Sequence, residues 1–417
     1  MEKNCNFVAI TSISVCWMFY LFSYITRVEA GVIVNELITE FSITASIIGA
    51  ISSFLYIPYV AMQIPCGIIV DKIGVKNMII MCSLLCSLGT FIFGSASSIL
   101  QLKIGRFLIG LSSASAFLSC GKCALEFFDK RKYGVLAGIS MFFGCLGGIF
   151  GTKPTAILVA NFGWRNTTFI IASIGIFIAI LAMIFMKKKD FSNTKETKTK
   201  PLFEGLKIIA KNSQSWLLGF YAAISYLPLS AIAELWGVPF IEKKYGISTQ
   251  QAALTPTIIF IGFGIGSIVS AWIAEKINSY KKTLIVLAIG IILSFIAVLY
   301  LNFINFYTCL ILVFIVGFCA GSNILAFSMA CSLVTKEYGG TTTGFINAMC
   351  MSSAIVFQPL LGKLLDYFRN GLVAVDGTPI YTIAMYKNTF FFIVIAMFIA
   401  IIATFFVDDI KHSQEDK

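Results

Sequence analysis

Apolar residues fall in twelve runs along the chain, at about 8–34, 43–70, 78–97, 102–124, 133–159, 167–186, 213–238, 251–274, 283–302, 308–334, 343–365 and 387–407. A helical run of about 20 apolar residues crosses a hydrocarbon core roughly 30 Å thick, so the pattern predicts twelve transmembrane helices. Most runs keep a few polar residues, as helices around a wet cavity do. The tightest connections, 97–101 and 303–307, sit at equivalent places in the two halves. The one long polar connector near the middle is 187–211, KKKDFSNTKETKTKPLFEGLKIIAK, with eight Lys against three acidic residues. The predicted architecture is an all-α membrane protein of two pseudo-symmetric six-helix bundles, 1–186 and 213–417, joined by a cytoplasmic linker at 187–212. Within that linker LFEGLKIIAK reads as a short amphipathic helix on the membrane surface.

The halves also repeat in sequence. GIIVDKIGVKN (67–77) and AWIAEKINSYK (271–281) align at a constant offset of 204 residues, with Asp71-Lys72-Ile73 over Glu275-Lys276-Ile277. One bundle built twice is the organisation of a secondary transporter. Asp71, Lys72, Lys76, Glu275 and Lys276 are the predicted gating residues at inner helix ends. Asp71 there either caps the following helix or pairs with a basic residue of another helix, and either contact can break and re-form as the halves rock.

Composition changes the picture in one direction. With 58% hydrophobic and 12% charged residues among 417, and a mean hydropathy of +0.90, a soluble domain is excluded, since its interior could not hide that much apolar surface. A net charge of +11 would suggest nucleic acid in a soluble chain. Here the basic residues gather in alternate loops: Lys72 and Lys76, Lys130 to Lys132, Lys187 to Lys189, Lys276, Lys281 and Lys282, Lys336, and the tail. That asymmetry places both termini in the cytoplasm and needs no nucleic acid. The expected location is a bacterial inner membrane. The 12 cysteines lie mostly within apolar runs and read as small apolar fillers, without metal-site context. The only histidine is His412 in the tail, which excludes histidine catalysis within the bundle. No enzyme activity, cofactor or metal is expected, and the chain suffices as a monomer.

Charges inside apolar runs carry the functional reading, because they are expensive unless paired or facing water. Arg27, Arg106 and Lys153 project to the outer half of the first bundle, where they can attract a carboxylate or phosphate. Glu234, from the other half, can receive an amine. Arg27 and Glu29 either neutralise each other or, being two residues apart, face different ways. Arg106 is a ligand contact or a structural and coupling residue. The stem of Lys153 can instead carry its charge outward. Lys122 and Glu126, four residues apart, read as a structural or gating pair. Glu29, Glu126 and Glu234 are the candidates for carrying a proton. Tyr24, Tyr56, Tyr59, Tyr221, Tyr226 and Trp236 lie in cavity-lining runs, Trp236 alternatively anchoring the outer interface. Asn323 and Gln358 can offer neutral hydrogen bonds to a solute. Pro58, Pro65, Pro228, Pro239, Pro256 and Pro359 are expected to bend helices.

Gly67, Asp71, Lys72, Gly74 and Lys76 make up a pattern that resembles the hallmark of the major facilitator superfamily. Arg106 within GRFLIG (105–110) is similar to that family's basic residue in the fourth helix, and GISMFFGCLGGIFGTKP (138–154) to its glycine-rich fifth. The second copy departs, with Ala271, Glu275 and Asn278 at the Gly, Asp and Gly positions. Three stretches, YITRVEAGVIVNEL (24–37), YVAMQIPCGIIVDKIG (59–74) and ELWGVPFIEKKYGIS (234–248), are similar to bacterial relatives of the lysosomal dipeptide transporters. FGWRNTTF (162–169) is shared with the neighbouring anion:cation symporters. The resemblance implies solute transport by alternating access, with amino acids or short peptides as the expected solute. Proton-coupled symport of organic or sugar-acid anions is the first alternative, and drug or metabolite export the second.

Overall fold

The structure is a computed structural model that describes residues 2–63, 65–129, 132–187, 202–335 and 338–409. The connector at 188–201, Lys130, Arg131, Lys188, Lys189, Lys336 and the tail from 410, with His412, lie outside the described residues. Contacts divide the chain into two units, residues 1–43 with 50–198 and residues 44–49 with 199–417.

The first unit holds α1 (Glu2–Val32), α2 (Val34–Phe41), α3 (Ala45–Met62, apart from its first turn), α4 (Pro65–Gly94), α5 (Ile99–Ser113), α6 (Ala116–Phe127), α7 (Tyr133–Phe150) and α8 (Lys153–Phe185). The second holds α9 (Leu202–Lys211), α10 (Ser213–Ser225), a π-helix (Pro228–Trp236), α11 (Gly237–Tyr245), α12 (Thr249–Ala252), α13 (Leu254–Ile277), α14 (Tyr280–Tyr300), α15 (Phe306–Ala320), α16 (Asn323–Ser332), α17 (Gly339–Arg369) and α18 (Ile383–Phe405). Helix α9 covers the amphipathic stretch expected from the sequence, with Ile209 buried and Lys207 exposed.

Eleven helical stretches among the described residues are long and apolar enough to cross a membrane. The chain is thus an all-α, multi-pass membrane protein. One stretch, Tyr133–Phe185, takes in both the fifth and sixth predicted runs. Their predicted separation near 160–166 is present as a break inside α8 at Gly163 (φ 77°, ψ 161°), where the backbone leaves the helical conformation. A further break, at Gly151 and Thr152, is one that the apolar pattern does not register. The second run, 43–70, also divides, because Pro65 opens α4, a position where its missing N–H costs no hydrogen bond. Pro58 and Pro359 lie inside α3 and α17.

The sequence repeat is also a repeat of backbone geometry. Three residues after Asp71, Gly74 breaks α4 at φ 81°. Three residues after Glu275, Asn278 ends α13 at φ 53°. Both residues have positive φ, but ψ is 158° at Gly74 and 39° at Asn278, so the second copy ends its helix in the left-handed conformation that asparagine tolerates. Helix crossings repeat too. A Cβ at Gly110 would lie 1.8 Å from the Leu55 carbonyl oxygen, and one at Gly317 would lie 2.2 Å from that of Ile259. Leu55 and Ile259 are again 204 residues apart.

The first turn of α3 belongs to the second unit. Its Ser46 N–H donates to Asp366 Oδ2 at 2.9 Å, and its Ala45 N–H to the Tyr381 hydroxyl at 2.7 Å. That hydroxyl donates in turn to Asp366 Oδ1 at 2.5 Å. In the first unit, Arg165 donates to the Gly94 and Ala96 carbonyls at 2.7 and 2.8 Å while also holding Glu40. Trp164 Nε1 donates to the other Glu40 oxygen at 2.7 Å, which ties α2, the end of α4 and α8 together.

Gly110→Val and Gly317→Val should each lose about 1–3 kcal/mol of stability through overpacking at the crossing. Thermal unfolding of the purified protein checks this, and native-like melting in both would contradict it.

Candidate functional site

Tyr24 and Arg27 are one turn apart on α1, as Tyr56 and Tyr59 are on α3, so each pair shares a helix face. The four side chains meet. The Arg27 guanidinium carbon lies 4.3 Å from the Tyr24 ring centre, 4.9 Å from Tyr59 and 5.8 Å from Tyr56. At these distances ring faces attract a cation, by about 0.5–2 kcal/mol each. Tyr20 meets the Tyr24 ring edge-on, with centres 5.3 Å apart. The Arg27 side chain is only 1% exposed.

Arg106 on α5 braces this arrangement from behind. Its Nη1 donates to the Thr26 carbonyl at 2.7 Å and its Nη2 to the Arg27 carbonyl at 3.1 Å. These charge-assisted bonds fix the turn of α1 that carries Arg27. The sequence left Arg106 open between ligand contact and structural residue, and here two of its donors are spent on backbone.

Glu29 points elsewhere, as the two-residue spacing implies. Its Oε1 accepts from Thr168 of α8 at 2.8 Å, while Oε2 is buried with no hydrogen-bond partner among the described residues. Lys153 opens α8 beside the break at Gly151, where a Cβ would lie 3.0 Å from the Ile25 carbonyl of α1. Its partly buried ammonium makes no hydrogen bond or ion pair among the described residues.

The second unit brings together neutral groups and one carboxylate. Glu234 lies in the π-helix, 1% exposed, and accepts from the Tyr226 hydroxyl at 3.1 Å. Gln358 donates through Nε2 to the Ser230 carbonyl at 2.6 Å, while its buried Oε1 has no partner among the described residues. Asn323 uses its Nδ2 on the Ala222 carbonyl at 2.7 Å and on Ser225 Oγ at 3.2 Å, so it ties α16 to α10. Tyr221 donates to the Leu284 carbonyl at 3.0 Å, which makes it a helix brace. Trp236, read alternatively as an outer-interface anchor, is instead fully buried within the unit.

In the repeated segments Asp71 forms an ion pair with Lys122, so the pairing reading of Asp71 describes the structure. Lys76 donates to the Met183 carbonyl at 2.8 Å, and Lys72 is exposed. Glu275 is exposed and makes no ion pair among the described residues, while Lys276 lies 4.9 Å from the Trp272 ring centre. Glu126 follows Lys122 by one turn of α6.

Two contributors escaped the sequence reading. Thr168 stands in the quoted FGWRNTTF stretch, but nothing in its spacing points to Glu29, 139 residues away. The π-helix has no periodicity of its own, and only its flanking Pro228 and Pro239 hint at a break.

Residues 16–359 match the profile of the Major Facilitator Superfamily. The chain is 24% identical over 283 residues to a probable sulfoacetate transporter, SauU, of Cupriavidus necator. That match spans 65% of each chain, just under two thirds of the relative's length. A probable hexose phosphate transport protein of Chlamydia muridarum is 21% identical over 376 residues, covering 83% of this chain and 82% of that one. The fold is similar to that of a bacterial homologue of the human lysosomal transporter Spinster in its inward-facing, unoccupied conformation. The TM-score is 0.77 at 15% identity, covering 98% of this chain and 97% of that one.

Arg106→Leu should cost about 1–3 kcal/mol for each of the two charge-assisted bonds removed, and Arg106→Lys should restore part of it by reaching one of the two carbonyls. The check is thermal unfolding in detergent. Equal melting of the native protein and both variants would contradict the brace.

Proposed function

This chain belongs to the Major Facilitator Superfamily, and from that premise we propose that it moves a small molecule across a lipid bilayer, a small organic or sugar-derived anion gripped by Arg27. The observation that carries the reading is the Arg27 cage. A guanidinium among aromatic rings is held in place yet keeps planar donors that match a carboxylate, sulfonate or phosphate two at a time. The ring faces orient the guanidinium, and a solute anion that reached it would form a charge-assisted pair. Both relatives described above are named for anionic solutes, sulfoacetate and hexose phosphate, which supports the anion over the amino acid or peptide.

In this proposal Tyr24 and Tyr56 line the anion's seat, Arg106 holds Arg27 in register, and Lys153 adds positive potential. Asn323 is a helix tie and Gln358 acts on the π-helix. Glu29, with one bare oxygen, is the leading proton carrier for symport, with Glu126 and Glu234 behind it. The Asp71–Lys122 pair, with Lys72 and Lys76, forms the gate of the first half, and Glu275 with Lys276 that of the second. Twelve spans in two sets of six, both termini in the cytoplasm and a monomer working by alternating access complete the reading.

A second reading keeps the zwitterion, on the strength of one observation. Glu234 is a buried carboxylate, a group that can receive an amine.

Arg27→Ala should weaken anion binding by roughly 30- to 1000-fold, the effect of losing one charge-assisted contact of about 2–4 kcal/mol. Arg27→Lys should rescue only part, since it lacks the planar fork. Counterflow in proteoliposomes reads this, and native kinetics in Arg27→Ala would remove the anchor.

Glu234→Gln separates the two readings. Transport of anions that lack an amine should persist, whereas a zwitterion carrier would lose its amino-acid or dipeptide transport. Loss of transport for amine-free anions together with retained dipeptide transport would overturn the anion assignment.

A further inference from the structure

We infer that residues 228–236 are a register switch that sets where the Glu234 carboxylate points, with Gly237 and Gln358 as its positioning residues. The inference rests on the chain being a transporter and not on which solute it carries. A nine-residue π-helix, PLSAIAELW, is an uncommon choice, since its wide turns bond less well than α-helical ones. All nine residues are buried.

Two features hold the wide register. The Gly237 N–H reaches back five residues to the Ile232 carbonyl, and a Cβ at 237 would sit 2.6 Å from that oxygen. The Gln358 amide crosses from α17 to the Ser230 carbonyl at 2.6 Å. Pro228 and Ile232 also border a small apolar cavity of about 10 Å³, with Phe240, Ile259 and Val316.

The same region shows that this arrangement leaves bonds unmade. Trp236 Nε1 and Gln358 Oε1, a donor and an acceptor, are both buried without a hydrogen-bond partner among the described residues. Buried polar groups in that condition favour a second arrangement that satisfies them. Absorbing one residue into α-register turns the helix before the switch by about 100° relative to the helix after it. Glu234 then leaves the Tyr226 hydroxyl, now 3.1 Å away, for a different surrounding. A slip of one residue is thereby converted into relocation of the only carboxylate in the segment.

Hydrogen–deuterium exchange of the full-length protein in lipid nanodiscs, with no solute added, tests this. In the native protein the amides of 232–237 should exchange faster than those of α13. Gly237→Ala, whose methyl group opposes the wide register, should slow them by about fivefold, the factor a helical glycine-to-alanine change gives. Gln358→Met should act in the same direction, and Gln358→His, which keeps a donor, should return exchange to native. Trp236 emission, read with Trp17, Trp164, Trp216 and Trp272 changed to Phe, should shift in the first two variants and not in the third. If Gly237→Ala does not fold, the Gln358 pair carries the test alone. Unchanged exchange and emission, or faster exchange in Gly237→Ala and Gln358→Met alike, would make the segment a static packing element and overturn the proposal. None of these readouts depends on an anion, so the solute assignment can fail while the switch stands.

Discussion

Two buried guanidinium groups constrain the first unit more than any other feature. An unpaired charge inside an apolar bundle costs several kcal/mol, and Arg27 and Arg106 are each only 1% exposed. Different chemistry offsets that cost for each. Arg106 is bonded to two carbonyls near the C-terminal end of α1, where the helix dipole presents negative charge. Arg27 is enclosed by ring faces. Both solutions demand that α1, α3 and α5 approach closely. The backbone of Gly110, one turn beyond Arg106, lies against Leu55, next to Tyr56. Helix crossing, brace and cage are therefore one construction.

The second unit repeats the scaffold without repeating the charges. The crossing at Ile259 and Gly317 matches that at Leu55 and Gly110, and a positive-φ residue, Gly74 or Asn278, follows the acidic residue by three in each copy. Where the first unit buries arginines, the second buries Glu234, Asn323 and Gln358. Backbone geometry is retained between the copies while the polar contents diverge, as expected when function resides in side chains set on a shared fold.

What was legible in the sequence follows the range of the forces involved. Apolar runs and the offset between Asp71 and Glu275 revealed the membrane class and the repeat, because both depend on local composition and short spacing. Charged residues inside apolar runs singled out Arg27, Arg106 and Glu234, since burial makes such residues rare. The partners stayed hidden. Thr168 meets Glu29 and Lys122 meets Asp71 only through helix packing, and no one-dimensional pattern encodes those meetings. Helix limits failed where one residue decides them, as at Gly151 and Thr152, which leave no dip in hydropathy. The π-helix was invisible because its residues are as apolar as those of an α-helix.

The central claim is that Arg27, set among tyrosine rings, is where the solute's anionic group binds. Thermal stabilisation of the native protein by solutes of one size and different charge tests it most directly: a sulfonate, a phosphate ester, their neutral alcohol and a zwitterion. The account predicts saturable stabilisation by the sulfonate and the phosphate ester, none by the alcohol, and little loss in added salt, because a buried pair is weakly screened. Equal stabilisation by the neutral alcohol, or stabilisation by the zwitterion alone, would contradict it.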